Sequence, residues 1–166
     1  MKPDETRVVY EGRVVTLLLE RWGDHEREVV DHPGAVVVVA SDGDGSLVLV
    51  RQIREAVRRE LLELPAGTLK PGEEPLACAR RELREETGYG GGRWRAGPRF
   101  YTAPGFCREL MHVYFADGVE PGEAALEDDE SIEVVVVPAG DVDAVLREVE
   151  DAKTLAGLLL YLQERA

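Results

Sequence analysis

The chain has 166 residues, of which 44% are apolar and 32% are charged, and its formal net charge is −13. This length and composition are typical of one soluble globular domain and exclude a chain that is disordered throughout. The acidic excess disfavours a nucleic-acid partner held through its phosphate backbone, because such binding needs a basic face. An anionic substrate would need bound cations or a local arginine cluster.

The sequence shows no targeting or membrane segment. The first residues lack the apolar core of a signal peptide, and the longest purely apolar run, residues 35–40, is too short to cross a bilayer. The two cysteines, Cys78 and Cys107, form no CxxC or zinc-finger pattern. We therefore expect a cytoplasmic protein with no membrane partner.

Valine-rich stretches bounded by turn residues predict strands in the first third of the chain. The last two of these stretches flank the sequence DGDG, which predicts a hairpin. Near-continuous valine runs are typical of strands that are buried on both faces. The predicted strands span residues 7–12, 13–23, 25–32, 35–41 and 46–52.

A helix is predicted over residues 75–87, with a proline at its first position. Leu76, Ala79 and Leu83 recur at steps of three and four and form its apolar stripe. Gly88 follows where a C-cap is expected, and the glycine-rich stretch up to residue 92 is predicted to be a loop.

The second half of the chain predicts three more strands, an acidic loop and two helices. The strands span residues 93–103, 111–118 and 131–139, the loop 120–131, and the helices 141–150 and 151–166. Together with the first half, this order predicts a mixed α/β or α+β domain with one highly charged helix in its middle.

The charged helix concentrates carboxylates on one face. Glu82, Glu85 and Glu86 are neighbours because residues three and four apart share a helix face, and Arg81 lies four residues before Glu85. One interpretation is a solvated face on which the helix arginines pair with these acids. The other is an oxygen-ligand site for divalent cations, which would relieve the repulsion between the carboxylates.

The spacing of the surrounding residues favours the cation site. Gly67 is followed by Glu73, then by the sequence REL from Arg81, by Glu85 and Glu86, and by Gly88 with an apolar residue after it. This pattern matches the Nudix box, GX5EX7REUXEEXGU with U a bulky apolar residue, at every defined position. The chain therefore resembles a Nudix hydrolase.

The resemblance implies an enzyme that cleaves a nucleoside diphosphate linked to another group. It implies an α/β (α+β) fold, namely an α/β/α sandwich with a mixed central sheet, preceded by an N-terminal antiparallel strand region. We expect this region to span residues 1–33 and to be exchanged between the subunits of a homodimer, and the Nudix domain to span residues 34–166.

The resemblance also assigns roles within the box. Glu82 and Glu86 look like ligands of two to three Mg²⁺ or Mn²⁺ ions, with Glu85 assisting. Arg81 resembles the residue that orients these carboxylates, and Glu73 the residue that supports the helix or the metals. The backbone carbonyl of Ala66 is expected to be a further metal ligand.

Outside the box, three stretches resemble the ADP-ribose pyrophosphatase branch: VRQIR at 50–54, ELPAG at 63–67 and DAKT at 151–154. In that branch the position of Arg54 contacts substrate phosphate and that of Glu63 lies close to the substrate. We add Arg51 and Phe106 as substrate-binding candidates.

The acidic loop resembles the segment that supplies the general base in this branch. Glu130 is the first candidate, and Asp128 and Asp129 are alternatives. The residues after the motif TAPGF depart from the branch, which leaves the roles of Cys107, Arg108 and Glu109 open.

The reaction implied by the resemblance converts ADP-ribose into AMP and ribose 5-phosphate. Nucleotide sugars, dinucleoside polyphosphates and FAD remain alternative substrates, and a non-catalytic module that senses a nucleotide is an alternative of another class. The residue that stacks on the base is open; the aromatic candidates are Trp22, Trp94, Tyr101 and Phe106.

Overall fold

The computed structural model describes residues 1–124 and 131–165. The strands in this part of the chain are β1 (Glu5–Glu11), β2 (Thr16–Trp22), β3 (His25–Asp31), β4 (Ala35–Asp42), β5 (Leu47–Arg54), β6 (Arg59–Glu63), β7 (Ala66–Thr68), β8 (Gly90–Tyr101), β9 (Leu110–Glu120) and β10 (Ile132–Val137). The helices are α1 (Pro75–Thr87), α2 (Val142–Val145) and α3 (Ala152–Arg165).

The main sheet is mixed. Its strand order is β10-β5-β4-β9-β8, with β6 paired to β5 and β7 paired to β4. Strand β4 runs parallel to β9, while its pairings with β5 and β7 are antiparallel. The central position of β4 explains its valine run, because a strand covered on both faces needs apolar side chains at every position.

Helices pack on the two faces of this sheet. Val36 and Val38 of β4 point toward α1 and pack with its Ala79 and Leu83. The alternate positions of β4 point to the other face, where α3 supplies Leu158 to the core. This alternation follows from the two-residue period of a strand. The predicted α/β/α sandwich with a mixed central sheet is confirmed.

The first three strands form a separate antiparallel sheet in the order β1-β2-β3. Every residue of β1 is exposed. The sheet meets the main domain through backbone bonds between Val30 and the segment after β8: the Val30 N–H donates to the carbonyl of Phe106 at 2.7 Å, and the Arg108 N–H donates to the carbonyl of Val30 at 2.9 Å.

Two predicted elements differ from the structure. The glycine-rich stretch predicted as loop belongs in part to β8, which begins at Gly90 and pairs with the end of β9. The helix predicted over 141–150 is reduced to a 3-10 turn at Ala139–Asp141 and the single turn of α2. Its apolar residues still pack on the core, so burial rather than helical hydrogen bonding determines the path of this segment.

Two short strands, β6 and β7, were not predicted. β6 has two adjacent leucines between charged residues and β7 is only three residues long, so neither shows a clear alternation, and they become strands because neighbouring strands offer unpaired backbone groups. Among the described residues, no helix is long and apolar enough to cross a membrane.

Candidate active site

Two glycines set the ends of the box that contains the charged helix. At its end, Gly88 adopts a φ of 76° and its N–H donates to the carbonyl of Arg84 at 2.9 Å, so the helix stops there. Before it, Gly67 of β7 lies directly against Glu82: a Cβ at Gly67 would stand 1.9 Å from the carboxyl carbon of that side chain. The absence of a side chain at Gly67 therefore allows a carboxylate of α1 to reach β7.

Arg81 is the common partner of three carboxylates. Its Nε and Nη2 donate to the two oxygens of Glu73 at 2.8 and 2.9 Å. Its Nη1 donates to Glu82 and to Glu85, at 2.8 Å in each case. One guanidinium thus bridges the acid of the loop and two acids of the helix and orients all three.

These contacts shift the pKa values of the partners in opposite directions. The hydrogen bonds from Arg81 lower the pKa of Glu73 to about 2, against the opposing effect of burial. The hydrogen bond to Glu73 is the main cause that raises the pKa of Arg81. Both groups are therefore charged at every physiological pH.

Glu86 is the most deeply buried of the helix carboxylates, with 5% of the residue exposed. Its Oε2 accepts a hydrogen bond from the Ala66 N–H at 3.1 Å. The structure thus brings together Ala66 and Glu86, which are twenty positions apart and which the sequence proposed as members of one site.

The donor set suits a hard divalent cation. Glu82, Glu85 and Glu86 offer only oxygen, the ligand that Mg²⁺ and Mn²⁺ prefer. Among the described residues, no three acidic, histidine or cysteine side chains already surround a common point as metal ligands. A carboxylate has about four lone-pair positions on its two oxygens, so a bond to Arg81 or Ala66 is compatible with cation coordination.

A cavity of about 360 Å³ lies beside this cluster. Ala66 and Gly67 of β7 form one part of its wall, and Arg54, Glu109 and Lys153 contribute charged side chains to the rest. With Asp151, the wall carries two cations and two carboxylates beside the edge of the carboxylate cluster, so an anionic ligand would be held by the two individual cations and not by a net positive charge.

Arg54 is fixed at the cavity by a buried carboxylate. Its Nε and Nη2 donate to the two oxygens of Glu63 at 2.8 and 2.7 Å, and Glu63 is 1% exposed. Burial alone would raise the pKa of Glu63, but the hydrogen bond from Arg54 and the charge of Lys153 outweigh it and lower this pKa. The hydrogen bond to Glu63 in turn raises the pKa of Arg54.

Comparison with known proteins identifies the family. Residues 31–158 match the family model described as NUDIX domain, which covers more than half of the chain. The chain belongs to the Nudix family. The stretch from Gly67 to Tyr89 is thus a Nudix box in a Nudix domain.

Several Nudix relatives and one solved structure are similar over most of the chain. An ADP-ribose pyrophosphatase of Bacillus subtilis (strain 168) is 40% identical, over 93% of this chain and 88% of that protein. A methanol dehydrogenase activator of Bacillus methanolicus is 35% identical, over 98% and 94%. A GDP-mannose pyrophosphatase of Citrobacter koseri is 36% identical, over 83% and 78%. The solved structure of an ADP compounds hydrolase shares the fold, with a TM-score of 0.81 at 22% identity over 98% of this chain and 94% of that one.

Two of the substrate-binding candidates lie outside the 360 Å³ cavity beside the carboxylate cluster. Arg51 makes only long ion pairs, at 3.8 Å to Glu60 and 3.9 Å to Glu133, on the exposed side of β5. Phe106 is 60% exposed and lies over a hollow formed by β2 and β3. Neither side chain lines the cavity that holds Arg54.

The base-stacking candidates are likewise outside this cavity. Trp94 lines a separate cleft of about 700 Å³, where the guanidinium of Arg80 stands 5.6 Å from the centre of its ring. Trp22 donates its indole N–H to Glu20 at 3.2 Å, and Tyr101 is 56% exposed at the end of β8. The described residues therefore show no aromatic side chain in the cavity wall.

Sequence reasoning did not assign the positions of Lys153, Glu109 and Arg108. Lys153 and Glu109 line the cavity, and Glu109 accepts a hydrogen bond from the Thr102 hydroxyl at 2.7 Å. Arg108 instead turns to the N-terminal sheet and pairs with Glu20 and with Asp31. The motif DAKT contains Lys153 and was the only sequence signal for it. No spacing rule predicts that this lysine contacts Glu63 of β6, ninety positions earlier.

The predicted general base lies outside the described residues. Glu130 and its alternatives Asp128 and Asp129 fall in 125–130, between β9 and β10.

Proposed function

We propose that this Nudix protein hydrolyses the pyrophosphate of ADP-ribose, giving AMP and ribose 5-phosphate, with Mg²⁺ or Mn²⁺ as cofactor. The observation that carries the proposal is that Arg54 shares one cavity with Ala66 and Gly67, the residues that contact the Nudix carboxylates Glu86 and Glu82. The similarity to an ADP-ribose pyrophosphatase over most of both chains supports the substrate.

Three helix carboxylates and one backbone group would hold the cations. Glu82, Glu85 and Glu86 supply carboxylate oxygens, and the carbonyl of Ala66 would complete the set for two to three ions. When bound, such cations neutralise phosphate charge and make water a stronger nucleophile. Arg81 holds Glu82 and Glu85 in place through its two 2.8 Å bonds, and Gly67 leaves room for Glu82.

The remaining residues bind the substrate and move the proton. Arg54 donates a charge-assisted hydrogen bond to a phosphate oxygen, while Glu63 fixes its guanidinium plane. Glu130, or one of the neighbouring aspartates, takes the proton from the attacking water as general base. Replacement of Glu130 by Gln should then lower kcat with little change in KM, and an unchanged kcat would remove this assignment.

A nucleotide-sugar substrate is the second candidate. The similarity to a GDP-mannose pyrophosphatase favours it, since that relative also matches most of this chain. The metal-binding carboxylates would keep their roles, whereas both the base and the sugar beyond the second phosphate would differ. A nucleotide-sensing role is suggested by the relative named as a methanol dehydrogenase activator. It requires that the protein binds a nucleotide without hydrolysing it.

A substrate panel decides between these functions. The purified protein would be incubated with Mg²⁺ or Mn²⁺ and with ADP-ribose, GDP-mannose, dinucleoside polyphosphates or FAD, and released phosphomonoesters would be detected with a coupled phosphatase. The highest kcat/KM with ADP-ribose supports the proposal, and the highest value with GDP-mannose replaces it by the second candidate. Nucleotide binding without turnover of any compound supports the sensing role.

We further propose that the protein is a cytoplasmic homodimer in which residues 1–33 are exchanged between subunits, next to a Nudix domain of residues 34–166. The support is that β1 to β3 form a sheet of their own, with Val8, Val9 and Tyr10 exposed. Exposed apolar residues in a row are typical of an interface. Sedimentation at micromolar concentration should give a dimer mass, and a monomer mass would contradict the exchange.

A further inference from the structure

We propose that Lys153 is a positioning residue of this site: together with Asp151, it fixes the carboxylate of Glu63, which presents the guanidinium of Arg54 to the substrate phosphates. The inference rests on the proposed function, because it takes Arg54 as the phosphate contact. It assigns a role in substrate binding to the first turn of α3, an element outside the Nudix box.

The contacts form a chain from α3 to the cavity. Lys153 Nζ donates to Oε2 of Glu63 at 2.5 Å, and the same oxygen accepts from Nη2 of Arg54 at 2.7 Å. Lys153 Nζ also pairs with Oδ1 of Asp151 at 2.9 Å. The Lys153 side chain is 13% exposed, so these partners rather than water satisfy its charge.

The carboxylate of Asp151 is itself held by hydrogen bonds. Its Oδ2 accepts from the N–H and the hydroxyl of Thr154 at 2.9 and 2.6 Å, which is an N-cap of α3. The Thr154 hydroxyl oxygen accepts from the N–H of Leu64, the residue after Glu63, at 2.8 Å. The start of α3 is therefore bonded to the backbone that carries Glu63 as well as to its side chain.

The charges explain why the lysine matters for Arg54. Glu63 and Asp151 share Lys153 as a cation, so removal of the ammonium leaves two carboxylates without the charge between them. Repulsion between Glu63 and Asp151 would then displace the Glu63 carboxylate and distort the two parallel bonds that define the Arg54 plane. A guanidinium that turns away from the cavity binds phosphate less well but does not alter the carboxylate cluster on α1.

The test is a double-mutant cycle on steady-state kinetics with Lys153→Met, Arg54→Gln and the double variant, using the best substrate of the panel. Methionine keeps most of the side-chain volume and removes the charge. We expect Lys153→Met to raise KM about tenfold with kcat within about twofold, because the lost interaction is one of binding. In the Arg54→Gln background the same substitution should change KM less than about twofold.

Controls separate positioning from stability and from direct contact. Lys153→Arg should restore most of the KM, and all variants should keep a cooperative thermal transition. Glu150→Gln, which breaks the exposed Arg59–Glu150 pair at 2.7 Å one position from Asp151, should leave KM unchanged. Lys153→Met removes a buried ion pair and Glu150→Gln an exposed one, and both positions lie close to the start of α3.

The outcomes distinguish this inference from the proposed function. Additive effects of Lys153→Met and Arg54→Gln on KM would overturn the positioning role, because the lysine would then act on the substrate independently. An unchanged KM in Lys153→Met would also overturn it. An unchanged KM in Arg54→Gln would overturn both this inference and the proposed role of Arg54, whereas a different best substrate would overturn only the substrate assignment.

Discussion

At the residue scale, the site depends on a few positions whose charge and volume are both matched to close neighbours. Glu86 is buried against the Ala66 N–H, and Gly67 provides the space that Glu82 occupies. Such positions tolerate neither a change of charge nor a change of volume, since the interior around them is already packed.

Replacement of Glu86 by Gln should lower kcat at least about a hundredfold while the fold stays intact. The amide oxygen of glutamine can still accept the Ala66 N–H, but the negative charge that a divalent cation requires is gone. The measurement is kcat in the coupled phosphatase assay, with the midpoint of thermal unfolding recorded alongside. Arg84→Gln, on the exposed side of the same helix, should behave as wild type; retention of kcat in Glu86→Gln would show that the site has been misassigned.

Gly67→Ala should reduce activity and stability together. The new methyl group would stand 1.9 Å from the carboxyl carbon of Glu82, so that side chain or β7 must shift. We expect a loss of about 1–3 kcal/mol in the free energy of unfolding, measured with urea, and a lower kcat. Gly90→Ala is the matched control, because a Cβ there has no atom within 4 Å, and similar losses in both variants would argue against the steric explanation.

At the element scale, the loop before α1 is tied to the helix by one ion pair. Glu73 accepts two bonds from Arg81, and it also accepts from the Lys70 N–H at 2.9 Å. This pair holds the loop against α1 and thereby fixes the position of α1 relative to the loop. Its strength is visible in the pKa of Glu73, which is about 2 in the folded chain against an ordinary value of 4.5.

The depressed pKa of Glu73 predicts a pH dependence. A carboxyl with a lower pKa in the folded state stabilises the fold above its unfolded pKa, and this stabilisation is lost as the pH falls from about 4.5 to about 2. Urea unfolding of wild type and Glu73→Gln should differ most at neutral pH and converge over that window. A constant difference between the two proteins down to pH 2.5 would contradict the assignment of the shift to this carboxyl.

At the scale of the whole molecule, the N-terminal sheet is joined to the Nudix domain by few contacts. Arg108 provides a charged contact: it pairs with Asp31 at 3.1 Å and with Glu20, which is 3% exposed. A buried carboxylate without its cation would keep the cost of desolvation and lose the compensating bond.

Arg108→Ala should therefore destabilise the protein by about 1–3 kcal/mol in urea unfolding. Arg21→Ala is the comparison, since its pair with Glu5 at 3.4 Å is exposed on both sides and should contribute at most about 1 kcal/mol. Equal losses in the two variants would show that burial of Glu20 has no energetic consequence for the attachment of the sheet.

The sequence by itself determined the features that depend on neighbours along the chain. The Nudix box, the bounds of α1 and the shared face of Glu82, Glu85 and Glu86 follow from helical period and capping, which act over a few residues. The valine run predicted a strand buried on both faces, because such a strand needs apolar side chains at successive positions, and β4 is that strand. The helix predicted after β10 shortened to one turn, because packing on the core prevailed over local periodicity.

Only the tertiary structure decided which distant residues meet. Lys153 reaches Glu63 across ninety positions, and Glu86 reaches Ala66 because the sheet places β7 beside α1. It also placed Arg51 and Phe106 outside the cavity and Glu109 within its wall. No local pattern specifies these distances, since they result from the order of strands in the mixed sheet and from the faces on which α1 and α3 pack.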